Sequence, residues 1–217
     1  MQLIDIHTHK ADCSETLAIV NSGNIAHTQL PCSVGIHPWD ISSNIEKQLS
    51  IVSQSAANKN VIAIGECGFD LLKSSSTADE QMQTFASHIQ ISERVEKPLI
   101  IHLVKGQDYL IKASKIFPHK QAWIIHGFRG KPTQAQQLLT AGFYISLGEH
   151  FNKETAETVP LERLFIESDE SNLTIEKIYE KIASVKRCTI EILAQEIANN
   201  CKRCRIFFDR VGNSTQP

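Results

Sequence analysis

Residues 61–70 read VIAIGECGFD: an aliphatic run that does not alternate with polar residues, then a carboxylate, Glu66, framed by Gly65 and Gly68. Continuous apolar runs of this length mark strands buried on both faces, as in parallel α/β sheets. The same arrangement, an aliphatic run closed by a metal-ligand type of residue, recurs along the chain. LIDIH ends on His7, with His9 two residues on; PLII precedes His102, AWII precedes His126, and RLFIES precedes Asp169. A parallel β/α barrel gathers the carboxyl ends of all its strands on one face, so residues spread between positions 7 and 169 can meet there. The expected fold class is therefore α/β, a TIM-type (β/α) barrel.

Strand-like runs fall near 2–7, 32–37, 61–65, 98–102, 122–126, 143–147 and 164–167. Between them, residues 43–58, 76–96, 105–117 and 132–141 carry apolar positions at three- and four-residue spacing, the mark of amphipathic helices. Ser42 or Ser43, Ser76 or Thr77, and Thr133 suit helix starts, and Gly142 suits a helix end just before FYISL. From 172 to 207 the pattern is two consecutive helices, about 173–185 and 189–204, which would cover the outside of the barrel. Residues 10–31 fit least well. A strand near Leu17 to Asn21 has too little chain on either side for crossover helices, which need roughly a dozen residues or more. The barrel is expected to be irregular or incomplete around 10–31, and residues 1–217 to form a single domain.

Composition excludes several classes. The 217 residues are 41% hydrophobic and 21% charged without a biased half or a low-complexity tract, which is ordinary for a folded globular chain and gives no sign of disorder. Net charge is −2, so there is no broad basic field to hold long duplex nucleic acid. The start, MQLIDIHTH, lacks a basic-then-apolar leader, and no run approaches the ~20 apolar residues that span a bilayer. A cytoplasmic protein with no membrane segment and no obligate protein partner is expected. Cys13, Cys32, Cys67, Cys188, Cys201 and Cys204 show no disulfide framework, and the CKRC at 201–204 has no second pair to complete four zinc ligands.

The strand-end residues carry the chemistry. Two imidazoles two residues apart in extended chain point the same way, so His7 and His9 can chelate one ion, although an isolated HxH is as readily a structural pair. Glu66 is a carboxylate able to bridge two cations. A ring nitrogen at the end of an aliphatic run is costly unless bound, which is the position of His102 and His126, although a backbone carbonyl would satisfy either. Near 169 the run FIESDES offers Glu167, Asp169 and Glu170, and spacing does not choose among them. Together these groups are the inventory of a two-metal hydrolase, in which two divalent cations (Zn, Mg or Mn) acidify a water and clamp the oxygens of a phosphoryl group.

In order along the chain, DIHTH, VGIHPWD, IGECGFD, the helix start from Gln81 to His88, KPLIIH, WIIHGFRG, GFYISLG and FIESDES resemble the TatD family of metal-dependent deoxyribonucleases and related hydrolases. The resemblance covers nearly the whole chain. It implies that His7, His9, Glu66 and Asp169 hold one metal and Glu66, His102 and His126 a second, with Asp169 also orienting or deprotonating the attacking water. Asp169 and Glu66 are then the catalytic carboxylates. His37, in GIHP, matches a family position beside the metals that contacts substrate phosphate or backs the ligands.

Three departures stand out. The family has an arginine two residues after the histidine matching His102, where this chain has Val104 and then Lys105. After Asp169 it carries a proline and a longer loop, where Glu170-Ser171-Asn172 leads almost directly into a helix. The 10–31 segment is short. Lys105 and Arg129, with Lys73 and Lys131, follow strand ends and are candidate replacement contacts to phosphate. His27, His88, His119 and His150 fall outside the ligand positions. The reading that follows is hydrolysis of phosphodiester bonds, at a DNA end or in a smaller phosphoester. An amidohydrolase acting on a C–N or carboxylic ester bond, and a metal-binding protein with reduced catalysis, remain as alternatives, because the same barrel serves each.

Overall fold

The computed structural model describes residues 2–11, 16–27 and 29–208; Cys13 lies outside them. Eight strands form one parallel sheet in chain order: β1 (Ile4–Thr8), β2 (Leu17–Asn21), β3 (Cys32–Val34), β4 (Val61–Asp70), β5 (Leu99–Val104), β6 (Trp123–Ile125), β7 (Tyr144–Leu147) and β8 (Leu164–Ile166). The sheet curls into a TIM-type barrel with one unsealed seam, between β8 and β1. The aliphatic runs make up the core on both faces of the sheet: Ile6, Ile64, Ile101, Ile125, Ile145 and Phe165 are all fully buried.

From β3 onward helices alternate with the strands. They are α1 (Ile45–Ser55), α2 (Ala78–Val95), α3 (Gln107–Ile116), α4 (Pro132–Thr140), α5 (Lys153–Thr158), α6 (Ile175–Lys186) and α7 (Ile190–Arg203). Helix α2 starts on a capping box: the Glu80 N–H donates to Thr77 Oγ1 at 3.3 Å and the Thr77 N–H donates to Glu80 Oε2 at 2.7 Å. Two donors that the first turn leaves free are thereby satisfied. The short α5 was not apparent in the sequence, since six residues carry too little periodicity to register.

The irregularity expected around 10–31 lies in the connections. β2 forms in full and pairs in parallel with both neighbours, but among the described residues no helix separates β1 from β2 or β2 from β3. At the seam, β8 and β1 share only a bridge between Thr8 and Asp169, with hydrogen bonds from the Asp169 N–H to His7 O at 2.9 Å and from the His9 N–H to Asp169 O at 3.3 Å. Side chains supply what the ladder lacks. Asp5 accepts the Ser168 N–H at 3.0 Å and its hydroxyl at 2.6 Å. On the outside, the Tyr179 hydroxyl of α6 donates to Ile4 O at 2.8 Å, and Asn200 of α7 donates to the carbonyls of Leu161 and Leu164. The consecutive helices thus cover the outer wall, as their amphipathic pattern predicts.

Candidate metal centre

Two strands carry an extra residue where the candidate ligands sit. Along the β4/β5 ladder, Ile64 pairs with Leu99 and Cys67 with Ile101, so β4 advances three residues while β5 advances two. Along β1/β2, Asp5 pairs with Ala18 and Thr8 with Val20, the same mismatch. Bulges of this kind bend a strand and re-aim its side chains. Here they lie at Glu66 and at His7. The glycines around Glu66 let β4 press onto β5: a Cβ on Gly65 would sit 2.3 Å from Ile100 O, and one on Gly68 2.3 Å from His102 O.

Glu66 is the centre of the cluster, buried, with each carboxylate oxygen facing a different set of donors. Oε1 lies 2.7 Å from His102 Nδ1, 2.7 Å from His126 Nε2 and 3.3 Å from His37 Nε2. Oε2 lies 3.4 Å from His7 Nε2 and 3.7 Å from His9 Nε2, and accepts a hydrogen bond from Asn21 Nδ2 at 3.0 Å. Across from it, Asp169 Oδ1 stands 3.7 and 3.6 Å from the same two histidine nitrogens. Asp169 has φ of 51°, a left-handed conformation that aspartate tolerates better than most residues. All six expected ligands therefore meet at one end of the barrel, and His37 stands among them at ligand distance.

The acids near 169 part company. Glu167 is fully buried behind His126, its Oε1 3.3 Å from His126 Nδ1 and accepting the Gly127 N–H at 2.6 Å. Glu170 is exposed at the rim. A second buttress is Asp70, whose Oδ2 lies 3.4 Å from His102 Nε2 and accepts the Trp39 indole N–H at 2.7 Å, while Oδ1 accepts the N–H groups of Leu72 and Lys73. Carboxylates in this position fix the ring orientation of a ligating histidine. Asn21 and Asp70 were not singled out from the sequence, and Glu167 entered only as an alternative to Asp169. For Asn21 and Asp70 the signal was there, since each closes a strand as the ligands do.

Charge is distributed accordingly. Burial opposes ionisation of Glu66, but the charge of His126 and hydrogen bonds from His102, His126 and His37 outweigh it and hold the carboxyl well below the usual range. Burial likewise opposes a charge on His126, and the two carboxylates Glu66 and Glu167 override it, raising its pKa well above the ordinary value. Asp5, beside the seam, is pushed up to about 7 by burial, only partly offset by its bonds from Ser168.

Whether this set fits a cation is tested by His7. It is fully buried, and neither ring nitrogen makes a hydrogen bond, a cost of about 1–3 kcal/mol for each unsatisfied group unless something binds there. Donor atoms of His7, His9 and Glu66 lie within 4.8 Å of one another, as do those of His7, His126 and Asp169, and those of His37, Glu66 and His102. Mixed imidazole and carboxylate donors suit a divalent metal, so the residues present fit. Uptake requires His126 neutral and would release its proton.

Two cavities flank the cluster. One, of about 400 Å³, is bounded by His9, Asn21, His37, Trp39 and Asp169. The other, of about 540 Å³, is bounded by Trp39, Lys73, His102, Lys105, Arg129 and Asp169. Lys105 and Arg129 are exposed along the second, while Lys131 does not line it. Elsewhere, Cys32, Cys67, Cys188, Cys201 and Cys204 are unpaired thiols, and no candidate metal group among the described residues includes the CKRC pair. Nor is any described helix long and apolar enough to cross a membrane.

The chain is similar to known proteins over most of its length. YabD of Bacillus subtilis strain 168, an uncharacterized metal-dependent hydrolase, is 28% identical over 192 residues, covering 79% of this chain and 75% of that protein. The 3'-5' ssDNA/RNA exonuclease TatD of Escherichia fergusonii is 29% identical over 146 residues, 63% of this chain and 56% of that protein. Among solved structures, the TatD homologue YJJV of Escherichia coli K12 superposes with a TM-score of 0.76 over 93% of this chain and 97% of that one at 19% identity, a likeness of fold. The family described as TatD related DNase matches residues 1–205. This chain belongs to that TatD family of metal-dependent hydrolases.

Proposed function

We propose that the protein hydrolyses phosphodiester bonds, at a single-stranded nucleic-acid end or in a smaller phosphoester, with two divalent ions. The ions are Zn, Mg or Mn, and the imidazole-rich donor set favours Zn or Mn over Mg. His7, His9, Glu66 and Asp169 hold one, and Glu66, His102 and His126 the other. The observation that carries this reading is the division of Glu66: Oε1 faces His102 and His126 while Oε2 faces His7 and His9.

Bound cations would supply Lewis acidity toward a water and toward the phosphoryl oxygens. The chain's own groups do the rest. Asp169, which lines both cavities, would orient that water and accept its proton. Glu167 and Asp70 keep the His126 and His102 rings in register. Lys73, Lys105 and Arg129 along the larger cavity offset the charge of the phosphates, a service that an amide substrate would not need.

The test is turnover of end-labelled single-stranded DNA, a generic phosphodiester and a generic amide in the presence of Mn²⁺, Zn²⁺ or Mg²⁺. Phosphodiester cleavage is expected, with Asp169→Asn retaining metal but losing most turnover. Cleavage of the amide with both phosphodiesters untouched would replace this reading with an amidohydrolase. Metal binding without turnover of any substrate would leave a metal-binding protein.

A further inference from the structure

Trp39 is half exposed, at 50%, although it stands beside the largely buried cluster of candidate ligands. It lies on the 3₁₀ turn Pro38–Asp40 that follows β3, and bounds both cavities that flank the metal centre. The ring is fixed. Its N–H donates to Asp70 Oδ2 at 2.7 Å, and the rings of His37 and His102 stand steeply inclined to it, at 83° and 71°, with centroids 4.7 and 6.1 Å away. Lys73 Nζ lies over one face of the ring, 5.1 Å from its centroid, so a base would stack on the other face. An exposed aromatic already anchored through its only polar atom has no further polar function to perform. What it offers is a preoriented π-face one side chain away from the metal ligands.

From this placement we propose that Trp39 is the stacking platform for the nucleobase that adjoins the scissile phosphate. This rests on the phosphodiester reading above and deepens it. With the scissile phosphate at the cations that Glu66 and Asp169 would hold, the base of the adjoining nucleotide stacks on the indole, and Lys73 and Lys105 face the neighbouring phosphates. Stacking is tolerant of sequence because every base has a π-face, so DNA and RNA ends of any sequence are accepted. A duplex end, whose bases are already stacked and paired, is disfavoured.

The test uses the Mn²⁺-loaded protein and two single-stranded oligonucleotides that differ only in a normal or an abasic terminal nucleotide. Wild type is expected to prefer the base-bearing end. In Trp39→Ala that preference, as a ratio of kcat/KM, falls by roughly 5- to 150-fold, the range that one stacked base contributes, and chiefly through KM. Trp39→Phe, which keeps a π-face but loses the bond to Asp70, retains most of it. If Trp39→Ala slows both ends by the same factor, Trp39 serves only to hold Asp70 and His102, and the stacking proposal fails while the phosphodiester reading stands. A wild type that cleaves generic phosphodiesters without preferring the base-bearing end also overturns it. A wild type inert toward every phosphodiester overturns both.

Discussion

Two histidines are fully buried in this barrel, His7 at the carboxyl end of β1 and His88 on α2, and their surroundings are opposite. His88 is satisfied by protein. Its Nε2 accepts the Ile36 N–H at 3.0 Å and its Nδ1 donates to Thr84 O at 2.8 Å, so the ring is neutral, and burial pushes its pKa down to about 4. His7 makes no hydrogen bond at either nitrogen and instead faces Glu66 Oε2 and Asp169 Oδ1 at 3.4 and 3.7 Å. Equal burial thus serves two purposes. Around His88 the polar atoms stabilise the chain, tying α2 to the backbone just before His37; around His7 stability is given up so that donors stay open for a cation.

The largest effect that could break this contrast is on activity. His7→Gln should lower kcat/KM by about 10³-fold or more, because a bound cation contributes several kcal/mol to the transition state. The same change should leave urea unfolding of the metal-free protein nearly unaltered. His88→Ala should do the reverse: about 3 kcal/mol less stable, from a cavity and the orphaned Ile36 N–H, with turnover per folded molecule largely kept. If both variants lose equal stability without metal, the contrast between the two regions is wrong.

Acid sharpens it. The unfolded chain takes up a proton at His88 near 6.5, whereas the folded chain resists until about 4. Stability that His88 contributes in full above pH 6.5 is therefore lost as pH falls toward 4, by about 3 kcal/mol. Unfolding free energy measured from pH 7 to 4 should lose that component in His88→Ala.

The strand ends were legible because burial on both faces writes itself as unbroken aliphatic runs such as VIAI and PLII, and because six ligand-type residues close such runs. Other features left no trace of that kind. The extra residues at His7 and Glu66 arise from register between neighbouring strands, which no single strand's sequence contains. Residues 10–31 read as poor barrel because they lack room for helices, yet β2 needs only its two neighbours to form. His88 and His7 look alike as letters. Only the partners that the fold brings to each, Ile36 and Thr84 in one case and Glu66 and Asp169 in the other, separate them.

A smaller effect concerns the carboxylates behind the ligands. Asp70→Asn and Glu167→Gln each keep size but remove the charge that faces His102 Nε2 or His126 Nδ1. A loss of about 10- to 100-fold in metal affinity or activity is expected for such partners, read by titration with Mn²⁺ and by kcat/KM. His7 has no carboxylate at its Nδ1, so the ligands on β5 and β6 should prove more sensitive to what lies behind them than His7.

The smallest effect repeats the histidine contrast with two buried serines. The Ser168 hydroxyl donates to Asp5 Oδ2 at 2.6 Å and lies 2.9 Å from the Thr8 hydroxyl, bridging the β8/β1 seam where no ladder runs. The Ser33 hydroxyl, on β3 with a ladder on either side, is buried with no partner. Ser168→Ala should cost about 1–2 kcal/mol, since it leaves Asp5 with one donor fewer inside the barrel. Ser33→Ala removes a hydroxyl that nothing satisfies, and stability should hold or rise slightly. Urea midpoints for the two variants decide the matter: equal losses would mean that the seam is held by packing from α6 and α7, and that the Asp5–Ser168 contact adds little.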